Sequence, residues 1–235
     1  MNYLLLLPEF ALTAVAFGVL GIDLLLPRER RGYLPWVTLV GLVAVLAISL
    51  WYLWGKDTNL YDGLFLIDGF SLFFKGFFLV LGVFVVLASA EYVRRHLSHP
   101  GEYYGILMLS ILAMMLMAAS GELLMAYISL ELLSFTLYVL VSFNRSDPRS
   151  NEAGVKYILL GAFASALLLY GISQVYGMLG TTSFAGIRAA LLLEETPLNP
   201  ALLLGLALIV AGLGFKMAVV PFHMWAPAVY EGAPT

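Results

Sequence analysis

Seven long apolar stretches, separated by short polar or glycine- and proline-containing segments, run through the sequence. Each is close in length to the roughly 20 residues that an α-helix needs to cross the hydrocarbon core of a bilayer. The pattern predicts an all-α fold, a multi-pass transmembrane helical bundle of about seven spans. The predicted spans cover residues 4–26, 34–54, 70–90, 103–119, 123–143, 155–176 and 201–220.

Two segments between the spans carry patterns of their own. Residues 65–74, with Asp68 and Gly69 in the middle, predict a turn at the membrane interface that leads into the third span. Residues 177–200 contain an apolar run that predicts a helix lying in the interface. No internal repeat and no soluble domain interrupts this plan.

The composition excludes an ordinary soluble domain. Hydrophobic residues make up 62% of the chain and charged residues only 11%, whereas globular domains carry about 25% charge. A net charge of −3 without a basic block excludes a nucleic-acid partner. Since the chain has no cysteine and no nucleotide-binding, zinc-protease or serine-hydrolase motif, we expect no metal, no cofactor and no redox chemistry within the chain itself.

The loop charges predict the orientation of the bundle. Seven of the eight arginines lie in every second connection, and acidic residues dominate the others. The arginine-rich connections hold Arg28, Arg30, Arg31, Arg94, Arg95, Arg145 and Arg149. The alternate connections hold Asp57, Asp62, Asp68, Glu122, Glu194, Glu195 and the single Arg188. Because arginine-rich loops stay in the cytoplasm, the N-terminus is expected outside.

Two ionisable residues lie deep inside predicted spans. Glu131 is about nine positions into the fifth span, and Lys216 follows a 15-residue uncharged run from Ala201 to Phe215 in the seventh. A charge at the centre of a bilayer costs about 2.5 to 3.5 kcal/mol on insertion scales. Burial favours the neutral form of an ammonium group and a nearby carboxylate favours the charged form, so a Glu131–Lys216 pair predicts proton movement. The alternatives are an ion pair that fixes helix register and a lysine that reaches toward the cytoplasm.

Other ionisable residues lie nearer the span ends. Lys156 is close to the cytoplasmic start of the sixth span, where a relay role and an interfacial position are both open. Glu9, Asp23, Lys75 and Glu91 are interpreted as boundary residues that reach solvent.

The end of the seventh span predicts a broken helix. Two glycines and two prolines flank Lys216, and Pro221 lacks a backbone donor and clashes with the preceding turn. Broken helices beside intramembrane charges are typical of transporters, although a helix that simply ends at Pro221 is the alternative. His223, just beyond, is either a proton relay or an interfacial residue.

Three stretches are similar in sequence to the motifs of a known family. They are YISLELLSFTLYVL at 127–140, EAGVKYILLGAFASALLLYG at 152–171 and GFKMAVVPFHMWAPAVYEGAPT at 214–235. Together they closely resemble the subunit N family of proton-pumping NADH-quinone oxidoreductase, respiratory complex I. In that family a fifth-helix glutamate and a lysine of the broken seventh helix form the proton input pair, and these positions match Glu131 and Lys216. Lys156 and His223 match positions along the hydrated path.

The resemblance implies a membrane-arm subunit that translocates protons, driven by electron transfer from NADH to quinone in other subunits. NADH, flavin, iron–sulfur clusters and quinone are then expected in those partner subunits, and internal water in this one. The implied location is a bacterial plasma membrane, with the mitochondrial inner membrane as the alternative. Rival functions are a subunit of a cation/proton antiporter and a non-transporting assembly scaffold whose buried charges fix helix packing.

Family subunits contain two inverted five-helix repeats. The resemblance therefore implies that residues 1–100 form an N-terminal three-helix transmembrane region. Residues 101–235 are then the start of the antiporter-like proton-translocating repeat, ending before its last helix. The chain is expected to correspond to the N-terminal half of such a subunit.

Overall fold

The computed structural model describes residues 3–192 and 199–234. Its regular structure in these ranges consists of nine α-helices, one β-hairpin and two short 3₁₀ helices. The helices are α1 Leu7–Leu25, α2 Leu34–Leu53, α3 Gly69–His96, α4 Pro100–Ala118, α5 Leu123–Val141, α6 Pro148–Leu179, α7 Phe184–Leu192, α8 Pro200–Lys216 and α9 Ala226–Gly232. The strands are β1 Thr58–Leu60 and β2 Phe65–Ile67.

The helices confirm the predicted all-α membrane fold. Within the described residues, six helices are long and apolar enough to cross a bilayer, namely α1 to α6 with short extensions of the first two. The seventh predicted span corresponds to α8, an apolar helix of 17 residues, which is at the lower limit for crossing. Helix α7 lies in the connection where an interfacial helix is predicted. The chain is a membrane protein.

A small β-hairpin precedes α3, and the apolar pattern gave no sign of it. Strands β1 and β2 pair antiparallel over three residues each, and Leu66 donates to the Ala119 carbonyl at 2.7 Å. Asp68 then caps α3: its carboxylate accepts from the Ser71 amide at 2.7 Å, and the Ser71 hydroxyl accepts from the Asp68 amide at 3.0 Å. This capping box fixes where the third span begins.

Helices α1 to α4 form a four-helix unit with a continuous apolar core. Helix α1 packs against α2 and α4, and α3 packs against the same two helices, so α1 and α3 occupy opposite corners. Leu12, Leu42, Leu79 and Ile111, one from each helix, are fully or almost fully buried between them. Helix α4 also packs against α5. The division of the chain at residue 100 stays a prediction.

The described loops place the arginine-rich connections at one end of this unit. Arg31, between α1 and α2, donates to the Ser98 carbonyl in the α3–α4 connection at 3.4 Å. Glu194 and Glu195, part of the charge pattern predicted for the opposite end, lie outside the described residues. The orientation of the N-terminus stays a prediction.

Helices α5, α6, α8 and α9 form the second part of the bundle, in which α6 and α8 approach closely through glycines. A Cβ atom on Gly171 of α6 would meet the Gly205 carbonyl oxygen of α8 at 2.7 Å. A Cβ on Gly212 of α8 would meet the Leu168 Cβ at 2.7 Å. Small residues let membrane helices pack backbone to backbone, and this contact holds α8 beside the centre of α6.

We expect Gly171→Ala to destabilise the bundle, because the new methyl group meets backbone atoms that cannot move aside. The expected cost is about 1 to 3 kcal/mol, as for other overpacked cores. The measurement is the thermal unfolding midpoint of the purified protein in detergent. Gly177→Ala is the matched control, since this glycine of the same helix has open space around its Cβ position. Equal midpoints for the two variants would show that the α6–α8 contact is not as tight as described.

Candidate functional site

Glu131 lies at the middle of α5 and shares a face with two other polar side chains. Ser134 and Tyr138 follow at spacings of three and four residues, which places all three on one side of the helix. The Ser134 hydroxyl donates back to the Leu130 carbonyl at 2.8 Å, so its lone pairs point away from its own helix. Helix α5 therefore presents a column of oxygen atoms to its neighbours.

Lys216 is the last residue of α8, and the helix ends earlier than the sequence predicts. The seventh span was expected to continue to Val220, but Ala218 has φ +52°, in the left-handed region. The Val219 amide turns back to the Gly214 carbonyl at 2.9 Å. The helix ends here because a left-handed residue stops an α-helix while its last carbonyls still find partners. Pro221 lies beyond this turn and follows the break.

Trp225 secures the chain after the break. Its indole Nε1 donates to the Phe215 carbonyl at 3.0 Å, which supplies a partner to a carbonyl at the end of α8. The indole also stacks on Tyr157 of α6, with ring centroids 4.7 Å apart, and on Phe215 at 5.3 Å. Helix α9 begins at the next residue. The break is thus a turn between α8 and α9 that is held in place by the contacts of Trp225.

The structure brings Glu131 and Lys216 together through hydroxyl groups. The Lys216 Nζ is 3.3 Å from the Glu131 Oε1. Ser165 of α6 lies between them, accepting from Lys216 Nζ at 3.1 Å and donating to Glu131 Oε1 at 2.6 Å. Lys216 Nζ also donates to the Ser134 hydroxyl at 2.5 Å and lies 3.5 Å from the Tyr138 hydroxyl.

Both charges of this pair are largely withdrawn from solvent. The exposed fraction is 9% for the Lys216 side chain and 15% for that of Glu131. The carbonyl end of α8 favours a cation at Lys216, through the helix dipole. Three helices therefore contribute to one neutral, hydrogen-bonded cluster. A proton on the lysine has a hydroxyl and a carboxylate within reach, so the cluster can hold a proton and pass it on. Its role in translocation stays a prediction.

The other two predicted site residues lie outside this cluster. Lys156, near the start of α6, is exposed, and its Nζ pairs with Glu152 Oε1 at 2.5 Å. The Nδ1 atom of His223 is buried without a hydrogen-bond partner. Within the described ranges, neither residue forms a hydrogen bond or ion pair with Glu131 or Lys216. Their relay roles stay predictions.

Sequence reasoning missed the three hydroxyl residues of the cluster. Two of them left a signal, because Ser134 and Tyr138 share the helical face of Glu131. Ser165 left none, since nothing in α6 marks its position as the one that faces α5. In the described part of the chain, no group of three or more metal-ligating side chains comes together.

A second buried ion pair overturns the interpretation of Glu9 and Lys75 as boundary residues. Their Oε1 and Nζ atoms are 2.7 Å apart, with exposed fractions of 5% and 0% for the side chains. The reason is the packing of the first four helices: α1 and α3 stand at opposite corners, so the long lysine side chain crosses the centre of the unit. Apart from this ion pair, neither group has a hydrogen-bond partner.

The interpretation of Asp23 as a solvent-exposed boundary residue is also wrong. Only 5% of the residue is exposed, and its Oδ1 lies 3.2 Å from Arg31 Nε. The start of α4 covers the Asp23 side chain. Gly101 of α4 packs so closely against it that a Cβ atom on Gly101 would lie 2.2 Å from the Asp23 Cβ. Glu91, by contrast, is exposed and pairs with Arg94 at 2.8 Å.

Comparisons with known proteins agree on one family. Residues 120–235 match the model of the family described as NADH:quinone oxidoreductase/Mrp antiporter, transmembrane. The chain is 42% identical over 232 residues to NADH-quinone oxidoreductase subunit N of Desulfitobacterium hafniense, covering 98% of this chain and 46% of the relative. It is 43% identical over 234 residues to the same subunit of Moorella thermoacetica, covering 100% and 48%.

Two solved structures share the fold. A chain of the respiratory complex I from Thermus thermophilus with bound aureothin matches with a TM-score of 0.76 and 31% identity, over 96% of this chain and 47% of that one. A chain of an archaeal membrane-bound sulfane sulfur reductase matches with a TM-score of 0.77 and 24% identity; at this identity the likeness concerns the fold alone. The chain spans about half the length of the relatives it matches.

Proposed function

We propose that the chain is one of the membrane subunits shared by NADH:quinone oxidoreductases and Mrp antiporters, and that it translocates protons within an NADH-quinone oxidoreductase. Electron transfer from NADH to quinone then takes place in other subunits, which hold the flavin and iron–sulfur clusters. The observation that supports a role in proton movement is the Glu131–Lys216 pair, buried and bridged by a serine hydroxyl where α8 breaks.

The geometry offers a proton step without a net charge change in the cluster. Lys216 donates to the Ser165 oxygen, and the Ser165 hydroxyl donates to Glu131. If the proton of each donor moves to its acceptor, the Lys216 amine and the Glu131 carboxyl become neutral together and Ser165 is unchanged. Neutral groups are favoured in a low-dielectric interior, and charged groups are favoured while the two remain paired. Separation of the pair therefore decides where the proton resides.

The break in the helix places Lys216 where its side chain could change position relative to Glu131. Its ammonium lies at the carbonyl end of a helix, beside the turn at Ala218 and the Trp225 stack. Discontinuous helices position the ion sites of many secondary transporters in this way. In the proposal, internal water links this cluster to one side of the membrane, and Lys156 and His223 are candidate relays.

We assign the protein to a bacterial plasma membrane, with the N-terminus outside, and expect other membrane and peripheral subunits of the complex as its partners. The subunit N relatives described above are bacterial. The arginine-rich loops support a cytoplasmic position for the end of the bundle that carries Arg31 and Arg94.

A second function has a specific observation in its favour. The description of the matching family names Mrp antiporters beside the oxidoreductases. A subunit of a cation/proton antiporter would use the same buried pair, without NADH oxidation in its complex.

Purification from the native membrane separates the two functions. The chain is tagged and isolated in mild detergent, its partners are identified by mass spectrometry, and NADH-quinone reductase activity is assayed in the eluate. We expect flavin- and iron–sulfur-binding subunits together with reductase activity. Recovery with antiporter-like subunits alone, without NADH oxidation, would contradict the oxidoreductase proposal and support the antiporter.

A further inference from the structure

The Tyr138 hydroxyl is a buried group beside Lys216 that takes no part in the proton step between Lys216 and Glu131. Only 5% of Tyr138 is exposed, and its hydroxyl oxygen lies 3.5 Å from the Lys216 Nζ. We propose that Tyr138 is the second proton partner of Lys216, through which the lysine exchanges its proton toward the end of the bundle where α5 passes to α6. The inference rests on the proposed proton translocation and adds the group on the other side of the lysine.

Lys216 lies between Glu131 and Tyr138 along the axis of α5. The two residues are seven positions apart, which is about 10 Å along the helix, and the Lys216 Nζ is 3.3 Å from the Glu131 Oε1 and 3.5 Å from the Tyr138 hydroxyl. The Nζ is 5.9 Å from the centre of the Tyr138 ring, so the ammonium meets the hydroxyl end of the ring and not its face. A lysine that moves away from Glu131 toward this end therefore has the tyrosine oxygen as its next acceptor.

Gly161 of α6 makes room for the Tyr138 hydroxyl. A Cβ atom on Gly161 would lie 2.0 Å from this oxygen and 2.7 Å from the carbon that bears it. The ring cannot easily turn aside, because Tyr157 packs against it edge to face with the ring centroids 4.7 Å apart. Gly161 is one helical turn from Ser165 and shares its face of α6. Two neighbouring positions of α6 thus serve the two sides of the lysine.

One layer of packing separates Tyr138 from a polar cavity. Tyr138 belongs to a buried group that includes Tyr157 and Ala153, and Ala153 also lines a cavity of about 220 Å³. The ionisable side chains around this cavity are Arg149, Glu152, Lys156 and Glu231. A polar space of this size has room for several water molecules. Tyr138 therefore lies between Lys216 and a place where water can supply or take up a proton.

The proton step through Tyr138 leaves the tyrosine neutral. The Lys216 ammonium transfers a proton to the Tyr138 oxygen while the hydroxyl proton of Tyr138 passes to a water molecule on its far side. The lysine becomes a neutral amine, the water becomes a hydronium ion that leaves toward the cavity, and the reverse sequence restores the ammonium. A phenol has both the lone pair and the proton that this exchange needs, whereas a phenylalanine ring has neither.

Tyr138→Phe tests the hydroxyl alone, since phenylalanine keeps the ring and its packing. Proton flux is measured in inverted membrane vesicles by quenching of a pH-sensitive dye after NADH is added. We expect the flux to fall about fivefold, the factor that one hydrogen bond contributes. The ratio of the fluxes in H₂O and D₂O should rise, because proton transfer from Lys216 becomes the slow step; a role in packing would leave this ratio unchanged. Gly161→Ala displaces the hydroxyl and should give the same two effects.

Tyr157→Phe is the matched control. It removes a hydroxyl from the same aromatic group, but from a tyrosine that forms no hydrogen bond with Lys216 in the described part of the chain. Gly177→Ala, on the same helix with open space at its Cβ position, is the control for Gly161→Ala. Normal flux and an unchanged isotope ratio in Tyr138→Phe would overturn the proposal, and so would an equal loss in Tyr157→Phe.

Lys216→Ala in the same assay separates the failure of this inference from the failure of the proposed function. If Lys216→Ala loses flux while Tyr138→Phe pumps normally, only the role of Tyr138 is contradicted. If both variants pump normally, the proposed function fails and the role of Tyr138 fails with it.

Discussion

Replacing Lys216 with alanine is expected to reduce the proton flux carried by this chain by about tenfold or more, a loss typical of removing a positioned proton-transfer group. The variant removes the ammonium that Glu131, Ser134 and Ser165 surround. No other described lysine contacts this cluster to take its place. The flux is measured in inverted membrane vesicles by quenching of a pH-sensitive dye after NADH is added, with NADH oxidation recorded in parallel.

Lys216→Arg separates proton release from helix packing. A guanidinium keeps the positive charge and the contact with Glu131, but it does not give up its proton in proteins. A relay therefore fails with arginine almost as completely as with alanine. A scaffold in which the pair only fixes helix register would tolerate arginine, so full pumping by Lys216→Arg would contradict the proposed function.

Glu131→Gln tests the other half of the pair. The amide still accepts from Ser165 but no longer stabilises the Lys216 charge, so we expect a lower flux with assembly intact. Lys56→Arg is the control for both positions. Lys56 lies in the turn after α2, over the Tyr52 ring at 3.4 Å, and arginine can make the same contact. A comparable loss in this control would mean that the assay reports general damage.

The sequence identifies the buried pair but not its surroundings. Glu131 and Lys216 stand out because a charge within a long apolar stretch needs a partner, and this argument requires no knowledge of the fold. Which helix faces which cannot be predicted in this way, since spans that are apolar all round have no preferred face. Ser165 belongs to the cluster only because α6 packs between α5 and α8.

The same limit explains the other differences between expectation and structure. Hairpin strands of three residues are too short to leave a pattern. The end of α8 depends on the backbone of Ala218, whereas the sequence draws attention to Pro221. Lys75 looks like a boundary residue until the arrangement of α1 to α4 places it at the centre of the four helices.

The two buried ion pairs differ in their surroundings, and this difference predicts different roles. Lys216 is surrounded by hydroxyl groups that can accept and donate protons. Lys75 and Glu9 have only each other among the described residues, in a sealed apolar core. The first pair can exchange protons with its neighbours. We infer that the second holds α1 and α3 in register.

Lys75→Met is therefore expected to destabilise the bundle by about 3 to 5 kcal/mol, because it leaves the Glu9 carboxylate buried and unpaired. The double variant Glu9→Leu/Lys75→Met should recover most of this loss, since apolar side chains of similar volume replace a buried ion pair at little cost. Unfolding of the purified protein in detergent measures both effects, and vesicle assays should show normal proton flux in the double variant. A double variant that is stable but no longer pumps would place Glu9 and Lys75 on a proton path and contradict the structural role.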